Sequence, residues 1–120
     1  MDWELEYYQR ENERIPVLEF LKSLEPKIRV KMFLEIELLE IHGTALREPY
    51  VKPIKGNKCK GLYELRVKFS SNIVRVFYFL YLGKKIVLLS GFMKKSEKTP
   101  KTERERALSY KTDYERRCEE

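Results

Sequence analysis

The sequence has 120 residues and a formal net charge of +6, and 42% of its residues are hydrophobic and 12% aromatic. This length predicts one compact domain over residues 1–120, and the apolar content excludes an intrinsically disordered chain. No apolar run approaches the length of a membrane span, the first residues lack the pattern of a signal peptide, and the two cysteines lie far apart in polar stretches. We therefore expect a protein of the reducing cytoplasm, without membrane contact and with a soft preference for a polyanionic partner.

The first half of the chain predicts a strand followed by a helical hairpin. Trp3–Tyr8 alternates in the manner of a short strand at a sheet edge. Prolines open two helices, Pro16 to Leu24 and Pro26 to about Ile41, and the His42-Gly43 pair ends the second. A basic loop over residues 45–61 follows, with one short extended piece at Tyr50–Ile54.

The second half predicts three consecutive antiparallel strands and a last helix. The strands are Tyr63–Phe69, Ile73–Leu82 and Ile86–Phe92, because each is rich in β-branched and aromatic residues and is bounded by turn residues. A basic crossing then leads to Pro100 and a helix over Lys101–Arg117. The expected fold class is α+β, with an N-terminal strand and helical hairpin, an antiparallel sheet containing a three-strand meander, and a C-terminal helix.

Two arginines interrupt the apolar pattern of the meander. Arg75 is the only charged residue between Ile73 and Leu82, and a guanidinium in a central strand is costly unless it is paired. A two- or four-residue loop between the first two strands places Arg66 and Glu64 on the same face as Arg75, whereas a three-residue loop separates the arginines. Such a pair suits a phosphate, and the alternative is that Glu64 pairs with one arginine and both arginines are structural.

Further basic and aromatic residues have two interpretations each. Lysines near the end of the last strand and in the basic loop extend a groove for an RNA backbone or form an ordinary solvated charge run; they are Lys94, Lys95, Lys98, Lys52, Lys55, Lys58 and Lys60. Three tyrosines have two interpretations: they stack bases or, as the pattern favours, they pack in the core. They are Tyr63, Tyr78 and Tyr81.

Several kinds of catalytic site are excluded. His42 is the only histidine, so a nuclease that uses two histidines as acid and base cannot be built, and zinc sites of the His/Cys type are equally absent. The sequence has no clustered acidic set for Mg²⁺, no glycine-rich phosphate loop and no nucleophile elbow.

Three motifs in combination carry a resemblance to a known family. LYELR is followed by RVFYF and then by LLSGFMKKSEKTP ahead of a helix that contains Glu103, Arg106 and Ala107. The chain resembles the HigB-type, phage-derived branch of the RelE/ParE toxin superfamily over nearly its whole length.

The resemblance implies a small toxin of a toxin–antitoxin pair, with no cofactor and no metal. Its RelE and HigB members cut mRNA on translating ribosomes, ParE members poison DNA gyrase, and the usual partner is an antitoxin with a helix-turn-helix domain. A degenerate member that only binds its partners is a third alternative.

The family pattern also implies roles for individual residues. Arg75 matches the arginine that contacts the scissile phosphate, Arg66 matches the arginine of the preceding strand, and Lys95 or Lys94 falls where a second catalytic arginine lies. Lysines that RelE-type toxins carry before the first arginine are replaced by Leu62 and Glu64, and Glu64 is the candidate base. The expected RNA-binding residues are Lys94, Lys98, Lys68, Lys55, Lys58 and Lys60.

Overall fold

The computed structural model describes residues 3–46, 50–59, 61–95 and 98–119. In chain order the elements are β1 (Glu4–Tyr7), α1 (Pro16–Ser23), α2 (Pro26–His42), β2 (Val51–Pro53), β3 (Leu62–Phe69), β4 (Asn72–Tyr81), β5 (Lys85–Lys94) and α3 (Lys101–Cys118), with short 3-10 turns at Gly43–Ala45 and Asn57–Cys59. The predicted α+β class, the order of elements and the late meander are confirmed, and the strand ends differ from the predicted ones by at most two residues.

The five strands form one sheet in the order β1-β5-β4-β3-β2. β3, β4 and β5 make the predicted antiparallel meander, and β2 adds antiparallel to β3. β1 lies at the opposite edge, as predicted, but it runs parallel to β5, with Leu5 beside Ile86. The sheet is therefore mixed rather than wholly antiparallel.

Proline and glycine set the ends of the helical hairpin. Pro16 and Pro26 are the first residues of α1 and α2, where a missing N–H costs nothing. α2 ends at His42, and the residue that caps it, Gly43, has a φ of 51°. A Cβ atom there would lie 1.8 Å from the Trp3 indole nitrogen, so both the conformation and the close approach require glycine.

The two faces of the sheet carry different side chains. One face, here called the hairpin face, packs against α1 and α2 through aliphatic residues, among them Val17, Leu21, Met32, Ile36, Leu39, Leu65, Val67, Val74, Val76 and Leu88. The other face, here called the α3 face, is covered by α3 over a more aromatic cluster that includes Leu62, Phe77, Phe79, Phe92, Ala107 and Tyr114. The sequence predicts one part of this division, the position of Glu64, Arg66 and Arg75 on the same face.

Polar contacts hold the C-terminal part of α3 against the start of the chain. The Tyr8 hydroxyl donates to Asp113 Oδ2 at 2.6 Å, and Arg116 and Arg117 each contact the same carboxylate at 2.7 Å. The hydrogen bond from Tyr8 and those from the two arginines lower the pKa of Asp113 below its ordinary range. Burial, together with Asp113, raises the pKa of Tyr8 to about 12. We call these four residues the α3 latch.

α2 is apolar on two sides. Its inner side faces the sheet, and its outer side exposes large apolar residues at helical spacing, namely Val30, Phe33, Leu34, Leu38 and Ile41. Such an all-round apolar pattern is typical of a helix that is covered on both sides. In the part of the chain that the structure describes, no helix has both the length and the apolar composition that a bilayer crossing needs.

Candidate functional site

The turn between β3 and β4 decides where the two arginines lie. Phe69 pairs with Asn72, so the loop contains only Ser70 and Ser71, and Ser70 takes a φ of 58°. Arg66 and Arg75 are consequently direct cross-strand partners. Because directly opposite residues in antiparallel strands project to the same side, both guanidiniums belong to the α3 face, as the two-residue loop predicts.

These two arginines, Glu64 and Thr99 form one connected group, here called the arginine cluster. Arg66 Nε lies 3.2 Å from Glu64 Oε1. The Thr99 hydroxyl donates to Glu64 Oε2 at 3.1 Å, and Arg75 Nη1 donates to the Lys98 carbonyl at 3.3 Å. Both oxygens of the Glu64 carboxylate are therefore engaged in this arrangement.

An aromatic ring supports Arg75 from β5. The guanidinium carbon lies 5.2 Å from the centre of the Phe92 ring, within the range of a cation–π interaction. The pairing of Arg75 with Phe92 depends on a β-bulge, because the register of β4 with β5 shifts between Phe77, which pairs with Ser90, and Tyr78, which pairs with Leu88. Leu89 is the extra residue of this bulge.

The arginine cluster is enclosed. Arg75 is 0% and Glu64 is 1% exposed, whereas Arg66 is half-buried. Lys98 and Thr99, in the segment that leads into α3, supply the contacts that cover them. Here this covering stretch, residues 98–100, is called the crossing segment. In this conformation Arg75 contacts protein and not solvent, so the cluster holds its charges in a protected site.

The predicted lysines fall into two groups around the cluster. Lys68 and Lys94 flank Ile73 in the row of the α3 face next to the arginines, and Lys95 follows directly after β5; all three lysines are exposed. Lys98 and Lys55 lie toward β2. Lys58 is exposed on the 3-10 turn, and Lys60 falls outside the described residues.

A groove opens beside the cluster and includes residues that the sequence analysis does not assign to a site. Its volume is about 350 Å³, and it is lined by Lys52, Pro53, Ile54, Lys55, Glu64, Lys98, Thr99 and Arg104. Lys52 pairs with Glu64 across β2 and β3, and Arg104 lies in the first turn of α3. One feature of the sequence indicates Arg104. Side chains in a helix point toward the N-terminus of that helix, and Arg104 lies four residues after Pro100.

The tyrosines of β3 and β4 lie away from the arginines. Tyr63 and Tyr78 stack on each other with ring centres 5.6 Å apart, and they pack with the hairpin-face cluster. Burial and the neighbouring Tyr63 raise the pKa of Tyr78. Core packing, the favoured interpretation, is what the structure shows for Tyr78, which is 4% exposed, and base stacking by the tyrosines stays a prediction.

Comparison with known proteins defines the class of the chain. A family model described as phage derived protein Gp49-like (DUF891) matches residues 19–112. The match spans most of the chain, so the protein belongs to the Gp49-like family, which is a RelE/HigB-like toxin family. A search of curated proteins finds no match. The resemblance drawn from the motifs is confirmed at the level of this family, and the HigB-type branch stays a prediction.

Proposed function

We propose that this protein is the toxin of a type II toxin–antitoxin pair and that it cuts mRNA on the ribosome. The observation that carries the proposal is the cross-strand pairing of Arg66 with Arg75 on a face rimmed by lysines. Two guanidiniums that remain charged at any working pH suit a phosphate whose negative charge grows in the transition state. Membership of a RelE/HigB-like toxin family supports the same reaction class.

The proposed reaction uses the RNA's own 2′-hydroxyl as the nucleophile. Its oxygen attacks the adjacent phosphorus while the bond to the 5′ oxygen breaks, which leaves a 2′,3′-cyclic phosphate and a 5′-hydroxyl. Arg66 and Arg75 stabilise the charge on the phosphate oxygens, and Lys95 supplies a proton or a compensating charge to the leaving oxygen. Glu64 is the candidate acceptor of the 2′-hydroxyl proton, and ribosomal RNA contributes much of the positioning.

This reaction requires the crossing segment to lift from the cluster. Its movement breaks the bond from Thr99 to Glu64 Oε2 and the bond from Arg75 to the Lys98 carbonyl together. A carboxylate oxygen and a guanidinium edge therefore become accessible in the same event. Each hydrogen bond contributes about 1 kcal/mol net, so the opening is inexpensive compared with the binding of an RNA strand.

The partner in this proposal is a helix-turn-helix antitoxin. A toxin of this family implies an antitoxin. The exposed apolar residues on the outer side of α2 support a protein partner, because their burial is favourable by about 25 cal/mol per Å² of apolar surface.

The test is cleavage of cellular mRNA by variants of the arginine cluster. Overproduction of the unchanged chain in bacteria is expected to give discrete, translation-dependent cuts by primer extension. Arg66→Gln and Arg75→Ala are expected to lower cutting by about 100-fold or more, since each removes a contact to the developing charge. Full cutting and full growth arrest by Arg75→Ala would overturn the assignment.

Two controls separate chemistry from folding. Arg14→Ala removes an arginine of an exposed pair with Glu19 and is expected to cut as the unchanged chain does. Thermal unfolding of each variant is measured in parallel, because Arg75 is wholly buried whereas Arg66 is not. A folded Arg66→Gln variant without activity supports the role even where Arg75→Ala unfolds.

The enclosure of Arg75 and Glu64 favours a second candidate, a toxin that acts by binding DNA gyrase and not by cutting RNA. Such a toxin needs a surface and no accessible catalytic group. Overproduction would then give a DNA-damage response without mRNA cuts. A non-catalytic member of the family would give neither effect.

A further inference from the structure

The groove beside the arginine cluster concentrates positive charge from three separate parts of the chain. Lys52 and Lys55 come from β2 and the residues just after it, Lys98 from the crossing segment, and Arg104 from α3. We call these four residues the cation groove. Glu64 is the one carboxylate among the lining residues, and its two oxygens already contact Arg66 and Thr99. The groove lining therefore has four cationic side chains and one carboxylate.

Arg104 is the residue that most needs an external partner. Its Nε atom is enclosed, and its side chain has no hydrogen bond or ion pair within the described residues. A buried donor without an acceptor is unfavourable, and a cation in the first turn of a helix is further disfavoured by the helix dipole. Arg106, two residues later, differs because it bonds both oxygens of Glu103. An anion bound in the groove removes both penalties at Arg104.

We propose that the cation groove binds a backbone phosphate of a single-stranded RNA, next to the phosphate held by the arginine cluster. The proposal rests on the proposed function for its choice of RNA. Glu64 and Thr99 belong to both the cluster and the groove lining, so a strand that reaches the arginines on the β2 side passes Arg104. A guanidinium with flexible lysines around it suits a phosphate, and the volume of about 350 Å³ suits a nucleotide-sized group.

The test is equilibrium binding of labelled oligonucleotides to the full chain. Fluorescence anisotropy is measured with a 12-nucleotide oligouridylate, with oligoadenylate, and with the oligodeoxythymidylate of the same length, which cannot be cut by 2′-hydroxyl attack. Arg104→Ala is expected to weaken binding about tenfold for all three, because a phosphate contact ignores the base and the sugar. The slope of log K against log salt is expected to fall by about 0.7, the value for one phosphate contact on a single strand.

Matched variants make the result specific to the groove. Arg106→Ala removes an identical side chain from the same helix and is expected to bind as the unchanged chain does. Lys55→Ala, an exposed position that does not threaten folding, is expected to weaken binding in the same direction as Arg104→Ala, and Arg104→Lys is expected to retain part of the affinity.

Three outcomes would overturn the proposal: unchanged binding in both Arg104→Ala and Lys55→Ala, a loss confined to one base or to RNA, or competition by polyglutamate as effective per charge as oligouridylate. The last result would assign the groove to an acidic protein. The proposed function can fail separately from the groove. If cells show no mRNA cuts, the nuclease proposal fails, but the binding measurement still tests the groove. If mRNA is cut and Arg104 has no effect on binding, only the proposal for the groove fails.

Discussion

The two faces of the sheet are covered by helices through different kinds of side chain. The hairpin face joins β3 and β4 to α1 and α2 almost entirely through aliphatic side chains. The α3 face has an aromatic cluster that includes Phe77 and Phe79, a buried carboxylate opposite Phe77, and two arginines in the next row along β3 and β4. The hairpin face is stabilised by the burial of apolar side chains, whereas the α3 face also buries charged side chains, whose desolvation is unfavourable.

That difference separates stability from chemistry within a single sheet. Aliphatic packing is non-directional and gains free energy in proportion to buried area. Buried charges need partners at defined positions, and they are retained where they serve recognition or catalysis. Substitutions on the hairpin face should therefore change folding, and substitutions in the arginine cluster should change both folding and function.

The largest expected effect is on the hairpin face. Leu65→Ala removes a side chain that is 0% exposed, and the lost burial together with the remaining cavity is expected to lower the free energy of unfolding by about 3 kcal/mol. Urea denaturation measures it. Leu82→Ala, at a position 86% exposed, serves as the control and should stay within about 0.5 kcal/mol of the unchanged chain. Similar values for the two variants would contradict the assignment of this face to the core.

A smaller effect is expected in the arginine cluster. Glu64→Gln keeps the shape of the side chain and the acceptor for Thr99 but removes the charge opposite Arg66. We expect a loss of about 2 kcal/mol in the free energy of unfolding, because the arginines lose a buried counter-charge. Glu37→Gln, on the exposed side of α2, is the matched control and should have no measurable effect. A stable Glu64→Gln protein would mean that the carboxylate is dispensable for the cluster.

The smallest expected effect is a pH dependence of the free energy of unfolding, which distinguishes the α3 face from the hairpin face. The pKa of Asp113 is lowered in the folded protein by the hydrogen bonds from Tyr8, Arg116 and Arg117. A depressed carboxyl pKa stabilises the fold above the ordinary value and loses that stabilisation as pH falls through the folded value. Asp113→Asn is expected to be about 1 kcal/mol less stable at pH 7, with the difference closing below about pH 4.

Thermal unfolding between pH 7 and pH 3 measures this difference, and the Leu65→Ala difference serves as the reference because aliphatic packing has no protons to exchange. A gap between Asp113→Asn and the unchanged chain that persists at pH 3 would show that the α3 latch does not act through the charge of Asp113.

Local sequence patterns were sufficient for most of the fold. Prolines 16, 26 and 100 mark the starts of the helices because a ring-locked φ and a missing N–H are tolerated there. The shared face of Arg66 and Arg75 follows from the parity of a two-residue turn, which Ser70 and Ser71 permit. These features depend only on residues near one another in the chain.

Features that depend on distant residues were not predictable in the same way. The parallel direction of β1 is set by its docking beside β5, some eighty residues later, and alternation in Trp3–Tyr8 is the same for either direction. Enclosure of the arginines depends on where the crossing segment lands, and Thr99 carries no local pattern that reports it.

The β-bulge at Leu89 determines which deletions within β5 the arginine cluster tolerates. Leu89 has no partner in β4, so its loss would restore a regular ladder and leave Phe92 opposite Arg75. Loss of Gly91, with the bulge kept, would instead bring Phe92 opposite Val76, on the side of the sheet where the Phe20 ring lies 2.4 Å from the Cβ position of Gly91. A protein that keeps this site should therefore tolerate the loss of Leu89 far better than the loss of Gly91.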